Sequence, residues 1–76
     1  MKIEIYSKDN CSFCDKAIYK AQAMIQENDE YTYKVFKLGI DFDRDTLLKW
    51  FPSAKTFPQI KIDGQSIGGW NEFERF

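Results

Sequence analysis

Residues 2–14 have the sequence KIEIYSKDNCSFC, which predicts a strand, a polar turn and the start of a helix. Polar and apolar side chains alternate over residues 2–6, as they do in a strand with one buried face. Turn-forming residues follow, and Asn10 is a good N-cap for a helix that begins around Cys11. The pair Cys11 and Cys14 is therefore expected where a strand passes into a helix.

An apolar stripe continues along this helix at the spacing of one helical face. The helix is expected to end near Asn28. Cys14 belongs to the row that faces the core, whereas Cys11 lies at the helix tip outside it. We therefore expect Cys11 to be presented and Cys14 to be sheltered. The predicted row consists of Cys14, Ala17, Ile18, Ala21 and Ile25.

The middle of the chain predicts a second strand and a second helix. Residues 31–38 are rich in aromatic and β-branched side chains, which favour a strand. Candidate caps at residues 41–45 precede a short helix that Pro52 ends. The side chains of this helix expected to point inward are Leu47, Leu48 and Phe51.

The last third of the sequence predicts a hairpin and a final helix. Residues 58–62 alternate as a strand does, Asp63-Gly64 is a hairpin turn signal, and residues 65–67 return as a strand. Asn71 is a candidate cap for a last helix that buries Phe73 and Phe76.

The predicted order β-α-β-α-β-β-α defines an α/β protein with a mixed four-stranded sheet and three helices. This is the outline of a thioredoxin-like fold. At 76 residues, the chain is expected to be a single domain spanning residues 1–76.

Composition excludes several classes of function. A net charge of −1 provides no field for nucleic acid or anionic lipid, so neither partner is expected. No apolar run approaches the roughly 20 residues of a membrane helix, and the N-terminus lacks the features of a signal peptide. A cytoplasmic location is the expectation that follows.

The chain has two cysteines and no histidine. A scaffold held by disulfides normally needs four or more cysteines, and Cys–His catalysis is excluded. One alternative is half of a zinc site, completed by a second subunit or by two carboxylates. A pair of inert core cysteines is the other alternative.

Two cysteines three residues apart at a helix start suit thiol–disulfide exchange, because a second thiol must reach the mixed disulfide that the first thiol forms. An ordinary thiol, with a pKa of about 8.5, is only about 3% thiolate at pH 7. The free N–H groups of a helix N-terminus, together with Lys8, would favour the thiolate, whereas Asp9 and Asp15 oppose it. We therefore expect Cys11 to attack, with a lowered pKa, and Cys14 to resolve.

Three segments in order resemble the landmarks of the glutaredoxin family, and the resemblance covers nearly the whole chain. It is strongest to the small bacterial and phage dithiol forms. These segments are Cys11-Ser12-Phe13-Cys14, Thr56-Phe57-Pro58-Gln59-Ile60 and Ile67-Gly68-Gly69-Trp70-Asn71-Glu72-Phe73.

The resemblance implies glutathione as reductant. No metal is expected, because the chain lacks the further Cys or His residues that a zinc site needs. The resemblance also implies a cis peptide bond at Pro58, which leaves the backbone of Phe57 free to pair with extended glutathione; a trans proline that opens an edge strand is the alternative. The last helix would hold the γ-glutamyl end, and Lys8 would meet the glycine carboxylate. The implied glutathione-binding residues are Lys8, Phe13, Thr56, Phe57, Pro58, Gly69, Trp70, Asn71 and Glu72.

The sequence departs from the family pattern at several positions. Glu72 replaces the usual Asp, Phe13 replaces the usual Tyr, and the last helix stops early, at Phe76. Ser12 stands where many dithiol relatives have proline. In some relatives a small residue there permits an iron–sulfur cluster shared by two subunits, a hypothesis that anaerobic reconstitution tests.

By this resemblance we expect a monomeric enzyme that uses glutathione to reduce protein and mixed disulfides, with ribonucleotide reductase as a candidate client. A phage-encoded form would act in the host cytoplasm. One alternative is a thioredoxin-like carrier that a flavoprotein reductase recycles. Another is a non-catalytic adaptor that docks through exposed aromatic residues such as Phe13, Trp70 and Phe76.

Overall fold

A computed structural model describes residues 1–76 and contains four strands and three helices in the predicted order. No helix combines the length and the apolar character needed to cross a membrane. The elements are β1 (Lys2–Ser7), α1 (Ser12–Glu27), β2 (Thr32–Lys37), α2 (Arg44–Trp50), β3 (Gln59–Ile62), β4 (Gln65–Gly68) and α3 (Trp70–Glu74).

The four strands form one mixed sheet in the order β2-β1-β3-β4. β1 pairs with β2 in parallel, so α1 is the crossover of a βαβ unit, as parallel neighbours require. β1 also pairs with β3 in the antiparallel sense, and β3 pairs with β4 through the hairpin. The sequence Asp63-Gly64 forms the turn, with positive φ at both residues. The predicted fold class is confirmed.

The larger core lies between one face of the sheet and helices α1 and α3. Alternation along β1 directs Ile3 and Ile5 to this face, where both are fully buried. Ala17 and Ala21 of α1 are also fully buried, and Ile18 packs against this core. Ile25, the last member of the predicted row, is only half-buried. Phe73 brings α3 into the same core.

A smaller aromatic core lies on the opposite face. Tyr6 follows Ile5 by one residue, so it points away from the larger core and packs with Phe42, Leu47 and Phe51. Its ring stacks on Phe36 with 4.9 Å between centroids. Burial raises the pKa of the Tyr6 hydroxyl, and the Glu4 carboxylate adds to that shift.

Two apolar side chains that were expected in the core are exposed. Leu48 is 44% exposed, because α2 buries Leu47 and the neighbouring position turns outward. Phe76 is 55% exposed, because α3 ends at Glu74 and the chain then leaves the helical register. Phe51 is buried as expected, although it is the C-cap of α2 and not part of the helix.

Candidate active site

Cys11 and Cys14 are joined as a disulfide at the start of α1, with their Cα atoms 5.2 Å apart. Cys14 lies in the first turn of the helix and is 1% exposed. Cys11 precedes the helix and is partly exposed. The expectation of one presented and one sheltered sulfur is therefore confirmed.

Cys11, not Asn10, is the N-cap of α1. Its Sγ accepts a hydrogen bond from the backbone N–H of Cys14 at 3.2 Å, and its carbonyl accepts from the N–H of Asp15 at the same distance. Asn10 has φ of 54°, a left-handed conformation that asparagine tolerates better than most residues. The prediction of Asn10 as cap was wrong because this residue turns the chain and the next residue caps the helix.

The capping geometry has a chemical meaning. The first N–H groups of a helix lack partners within the helix and carry partial positive charge. The Cys14 N–H already points at the Cys11 sulfur. In the reduced protein, such donors stabilise negative charge on that sulfur.

Side-chain contacts fix the loop that leads to Cys11 on two sides. The Lys37 ammonium of β2 forms an ion pair with Asp9 at 2.6 Å, and this hydrogen bond and charge raise the pKa of Lys37. The Lys8 ammonium lies 5.6 Å from the centre of the Phe57 ring. The loop therefore links the edge strand β2 to the segment before β3.

The peptide bond between Phe57 and Pro58 is cis, as the resemblance implied. Pro58 is fully buried, so the segment before it is held against the protein. The backbone N–H and C=O of Phe57 make no hydrogen bond within the chain. These two groups are available to an extended ligand.

A glycine lies directly before helix α3. Gly69, not Asn71, is its N-cap, and the Gly69 N–H donates to the Glu72 Oε1 at 3.0 Å. A Cβ on Gly69 would lie 3.2 Å from the Pro58 carbonyl oxygen, so a side chain there would press on the backbone before β3. Gly68 has φ of 113°, and the Glu72 side chain occupies the space of its missing Cβ.

A groove with a volume of 150 Å³ lies between the start of α1 and the start of α3; we call it the first groove. All seven of its lining residues are among the nine predicted to bind glutathione. Lys8 and Pro58 do not line it, although Lys8 contacts its Phe57 wall. The lining residues are Phe13, Thr56, Phe57, Gly69, Trp70, Asn71 and Glu72.

Two functional features of this region were missed at the level of sequence. Lys20 of α1 donates to the carbonyl oxygens of Glu74 and Phe76 at 3.2 and 3.1 Å, and so ties α3 to α1. A larger cavity adjoins the first groove and is described below. Neither feature has a sequence signal, since both depend on residues that are distant along the chain.

The site contains one pair of cysteines and no cluster of three or more Cys, His, Asp or Glu side chains placed to hold a metal ion. A partly exposed sulfur, joined to a buried one at a helix start on a thioredoxin-like fold, defines the class of thiol–disulfide oxidoreductases. This class is narrowed by the sequence match, because the family model Glutaredoxin fits residues 3–67. The chain belongs to the glutaredoxin family.

Individual relatives agree with this assignment. The chain is 28% identical to glutaredoxin 1 of Escherichia coli (strain K12) over 75 residues, which cover 96% of this chain and 88% of that protein. It is also 28% identical to a glutaredoxin of Vibrio cholerae, over all of this chain and 90% of that one.

The fold agrees as well. The solved structure of reduced E. coli glutaredoxin matches with a TM-score of 0.84 and 28% identity, over 99% of this chain and 91% of that one. The oxidised E. coli protein matches with a TM-score of 0.82 over the same shares. The chain is accordingly a thiol–disulfide oxidoreductase with a Cys-Ser-Phe-Cys motif.

Proposed function

We propose that the protein, as a single domain over residues 1–76, uses glutathione to reduce protein disulfides and glutathione mixed disulfides. The observation that carries this proposal is the coincidence of the first groove with the residues implied to bind glutathione. The groove is lined at the start of α1 by Phe13, which lies between the two cysteines in the sequence, and at its other side by the N-terminus of α3. A bound tripeptide would therefore have its cysteine beside Cys11.

In the proposed mechanism, the Cys11 thiolate attacks the glutathione sulfur of a mixed disulfide. A bond forms between the two sulfurs, the client sulfur leaves, and it takes up a proton to become a thiol. The thiolate of a second glutathione then attacks the glutathione sulfur bound to Cys11. This second step releases glutathione disulfide and regenerates the Cys11 thiolate. Each turnover therefore consumes one glutathione thiol, and the other half of the glutathione disulfide comes from the mixed disulfide.

For a protein disulfide, Cys11 attacks one client sulfur and the other client sulfur leaves as a thiolate. Cys14 then attacks the Cys11 sulfur, which frees the reduced client and forms the Cys11–Cys14 disulfide. Two glutathione molecules reduce this disulfide in turn. The burial of Cys14 suits its role, because it reacts only with the neighbouring sulfur.

Single replacements of the two cysteines test this division of roles. We expect Cys11→Ser to abolish all turnover, because no attacking sulfur remains. We expect Cys14→Ser to retain activity on glutathione mixed disulfides and to lose activity on protein disulfides. Steady-state assays with glutathione and glutathione reductase measure both, and an equal loss in the two variants would refute the mechanism.

The rate at which iodoacetamide alkylates reduced Cys11 tests its activation. The N–H donors of α1 should keep this sulfur anionic near neutral pH. We expect the rate to rise with a midpoint below about pH 8, because an ordinary thiol ionises near 8.5. Cys14→Ser is the suitable background, since it leaves one sulfur to react.

The second candidate function is a thioredoxin-like carrier recycled by a flavoprotein reductase. The same fold and disulfide suit it, but the first groove would then have no ligand. Recycling by glutathione with glutathione reductase, compared with recycling by thioredoxin reductase, separates the two functions. We expect glutathione to recycle the protein faster.

We further propose that the protein acts as a monomer in the cytoplasm, where glutathione keeps thiols reduced, and that ribonucleotide reductase is one of its clients. A coupled assay of ribonucleotide reduction with glutathione as the electron source tests the client. If no nucleotide is reduced, ribonucleotide reductase is excluded as a client, but the proposed reduction of disulfides with glutathione is unaffected.

A further inference from the structure

A larger cavity adjoins the first groove on the side away from the cysteines; we call it the second groove. Its volume is 330 Å³, compared with 150 Å³ for the first groove. Thr56, Gly69 and Glu72 line both, so the two grooves form one continuous depression. Trp50 and Ser66 stand on the walls of the second groove, and Trp50 is 45% exposed.

The sizes of the two grooves suggest that a ligand uses both. Binding pockets for small ligands commonly have volumes of about 300–1,000 Å³, so the first groove alone is small for a complete ligand. The second groove brings the combined space into this range. Only three of its twelve lining residues are hydrophobic, which suits the main chain of a peptide better than an apolar molecule.

The segment from Lys55 to Phe57 runs from the second groove to the first. Its three backbone N–H groups make no hydrogen bond within the chain, and among its carbonyls only that of Thr56 accepts one, from the Gln59 side chain at 2.8 Å. Such a segment can pair with the alternating donors and acceptors of an extended peptide. The start of α3 also lines the second groove, where Gly69 carries no side chain and the Glu72 side chain fills the space beside Gly68.

We propose that the second groove binds the residues that precede the reactive cysteine in a client polypeptide. This inference rests on the proposed function and on the orientation that the family resemblance implies, in which the last helix, with Glu72, holds the γ-glutamyl residue of glutathione. That residue precedes the glutathione cysteine, so a longer chain in the same orientation continues past Gly69 toward Trp50. The preferred substrates are then disulfides of polypeptides with an extended segment before the cysteine.

Two synthetic peptides of equal composition test whether the residues before the cysteine, and not those after it, occupy the second groove. One carries about six residues before its cysteine and the other about six residues after it, a length of roughly 20 Å when extended. Each cysteine is joined to thionitrobenzoate, which Cys11 releases as a coloured anion when it attacks the peptide sulfur. We expect the peptide extended before its cysteine to react about tenfold faster, and the glutathione derivative serves as reference.

Two variants test whether the peptide binds in the second groove. Ser66→Trp fills the second groove from β4, and Trp50→Ala removes its aromatic wall; neither residue lines the first groove. We expect each variant to erase the difference between the two peptides while the glutathione derivative reacts within about twofold of the wild-type rate. Gln65→Trp is the matched control, because Gln65 precedes Ser66 on β4 and lines neither groove.

The outcomes are separable. Equal rates for the two peptides in the wild type would overturn the inference, and so would an equal loss on all three substrates in both groove variants. Thermal unfolding of each variant shows whether it is folded, and Trp50→Ala provides the test if Ser66→Trp is not. Failure of glutathione to recycle the protein, with the peptide preference intact, would instead overturn the proposed function.

Discussion

At the residue scale, the positions that shape the site most are those where one segment packs closely against the backbone of another. Gly69 is one such position, since a Cβ there would lie 3.2 Å from the Pro58 carbonyl oxygen. The local pattern indicates that a pair of glycines ends a strand, and the family resemblance adds Gly69 to the glutathione-binding residues. The contact with Pro58 depends on how α3 packs beside the start of β3, which no local pattern reports.

Tyr6 carries a pH dependence that can be measured. Burial, and secondarily the Glu4 carboxylate, raises the pKa of its hydroxyl above the ordinary value of 10.0. The folded state therefore holds this proton more tightly than the unfolded state. The stabilisation is complete below pH 10 and is lost as the pH rises through the raised pKa.

Chemical denaturation between about pH 9 and pH 11 tests this linkage. We expect the free energy of unfolding of the wild type to fall over this range, and Tyr6→Phe to reduce the fall. Tyr19→Phe is the control, because Tyr19 is 70% exposed. The assignment fails if both variants keep the slope of the wild type.

At the scale of the elements, the helices differ in how their ends are satisfied. The N-cap of α2 is Asp43, whose carboxylate accepts a hydrogen bond from the Thr46 N–H at 2.7 Å. The run of aspartates before this helix predicts a cap but not which residue provides it. α3 has no basic residue in its last turn, and Lys20 of α1 supplies the positive charge at its C-terminal end.

The Asp43 cap predicts that the stability of the protein falls at acidic pH. The hydrogen bond from Thr46 lowers the pKa of Asp43 below its ordinary value of 3.8. Its stabilisation is therefore complete above pH 3.8 and is lost as the pH falls through the lowered value. We expect Asp43→Asn, which keeps an acceptor oxygen, to melt with a weaker dependence on pH between about 2 and 5 than the wild type.

The hydrogen bonds from Lys20 should affect ligand binding in the first groove, because they hold α3. Three residues of that region line the groove, namely Trp70, Asn71 and Glu72. Lys20→Met keeps an unbranched side chain near the Phe73 ring, from which the Lys20 ammonium lies 5.5 Å away, but loses both hydrogen bonds. We expect KM for glutathione mixed disulfides to rise about two- to fivefold, the effect of a cation at a helix C-terminus.

The alkylation rate of Cys11 should not change in Lys20→Met, since the start of α1 is untouched. Lys34→Met is the control: its ammonium also lies over an aromatic ring, that of Phe36, but it makes no bond to α3. If kcat falls and KM stays constant, Lys20 does not position the groove.

At the scale of the whole molecule, the fold follows from patterns that are visible in the sequence. Alternation in β1, the apolar stripe of α1 and the turn at Asp63-Gly64 each predict the element found there. Three of the positions that failed lie at element ends: Asn10 and Asn71 as caps, and Phe76 as a core residue. Leu48, inside α2, failed because the short helix buries its neighbour Leu47 instead. Residues at helix ends are decided by tertiary contacts, which local patterns do not contain.

The larger core should set the stability of the entire protein. Ile60 is fully buried at the centre of the sheet, where β3 lies between β1 and β4. We expect Ile60→Ala to lower the free energy of unfolding by about 2–5 kcal/mol, the usual loss for a large aliphatic side chain removed from a core. Urea denaturation measures it, and a loss below about 1 kcal/mol would show that the core relaxes around the cavity.

At the N-cap of α1, the residue that catalysis needs differs from the residues that best stabilise a helix. Cysteine is not among the residues preferred at an N-cap, where serine is one of the best. The residue that carries the chemistry is therefore a poor choice for holding the helix. The Cys11→Ser variant is inactive, but we expect its melting temperature to be at least as high as that of the reduced wild type. Selection for thermal stability alone would therefore tend to remove the sulfur atom on which catalysis depends.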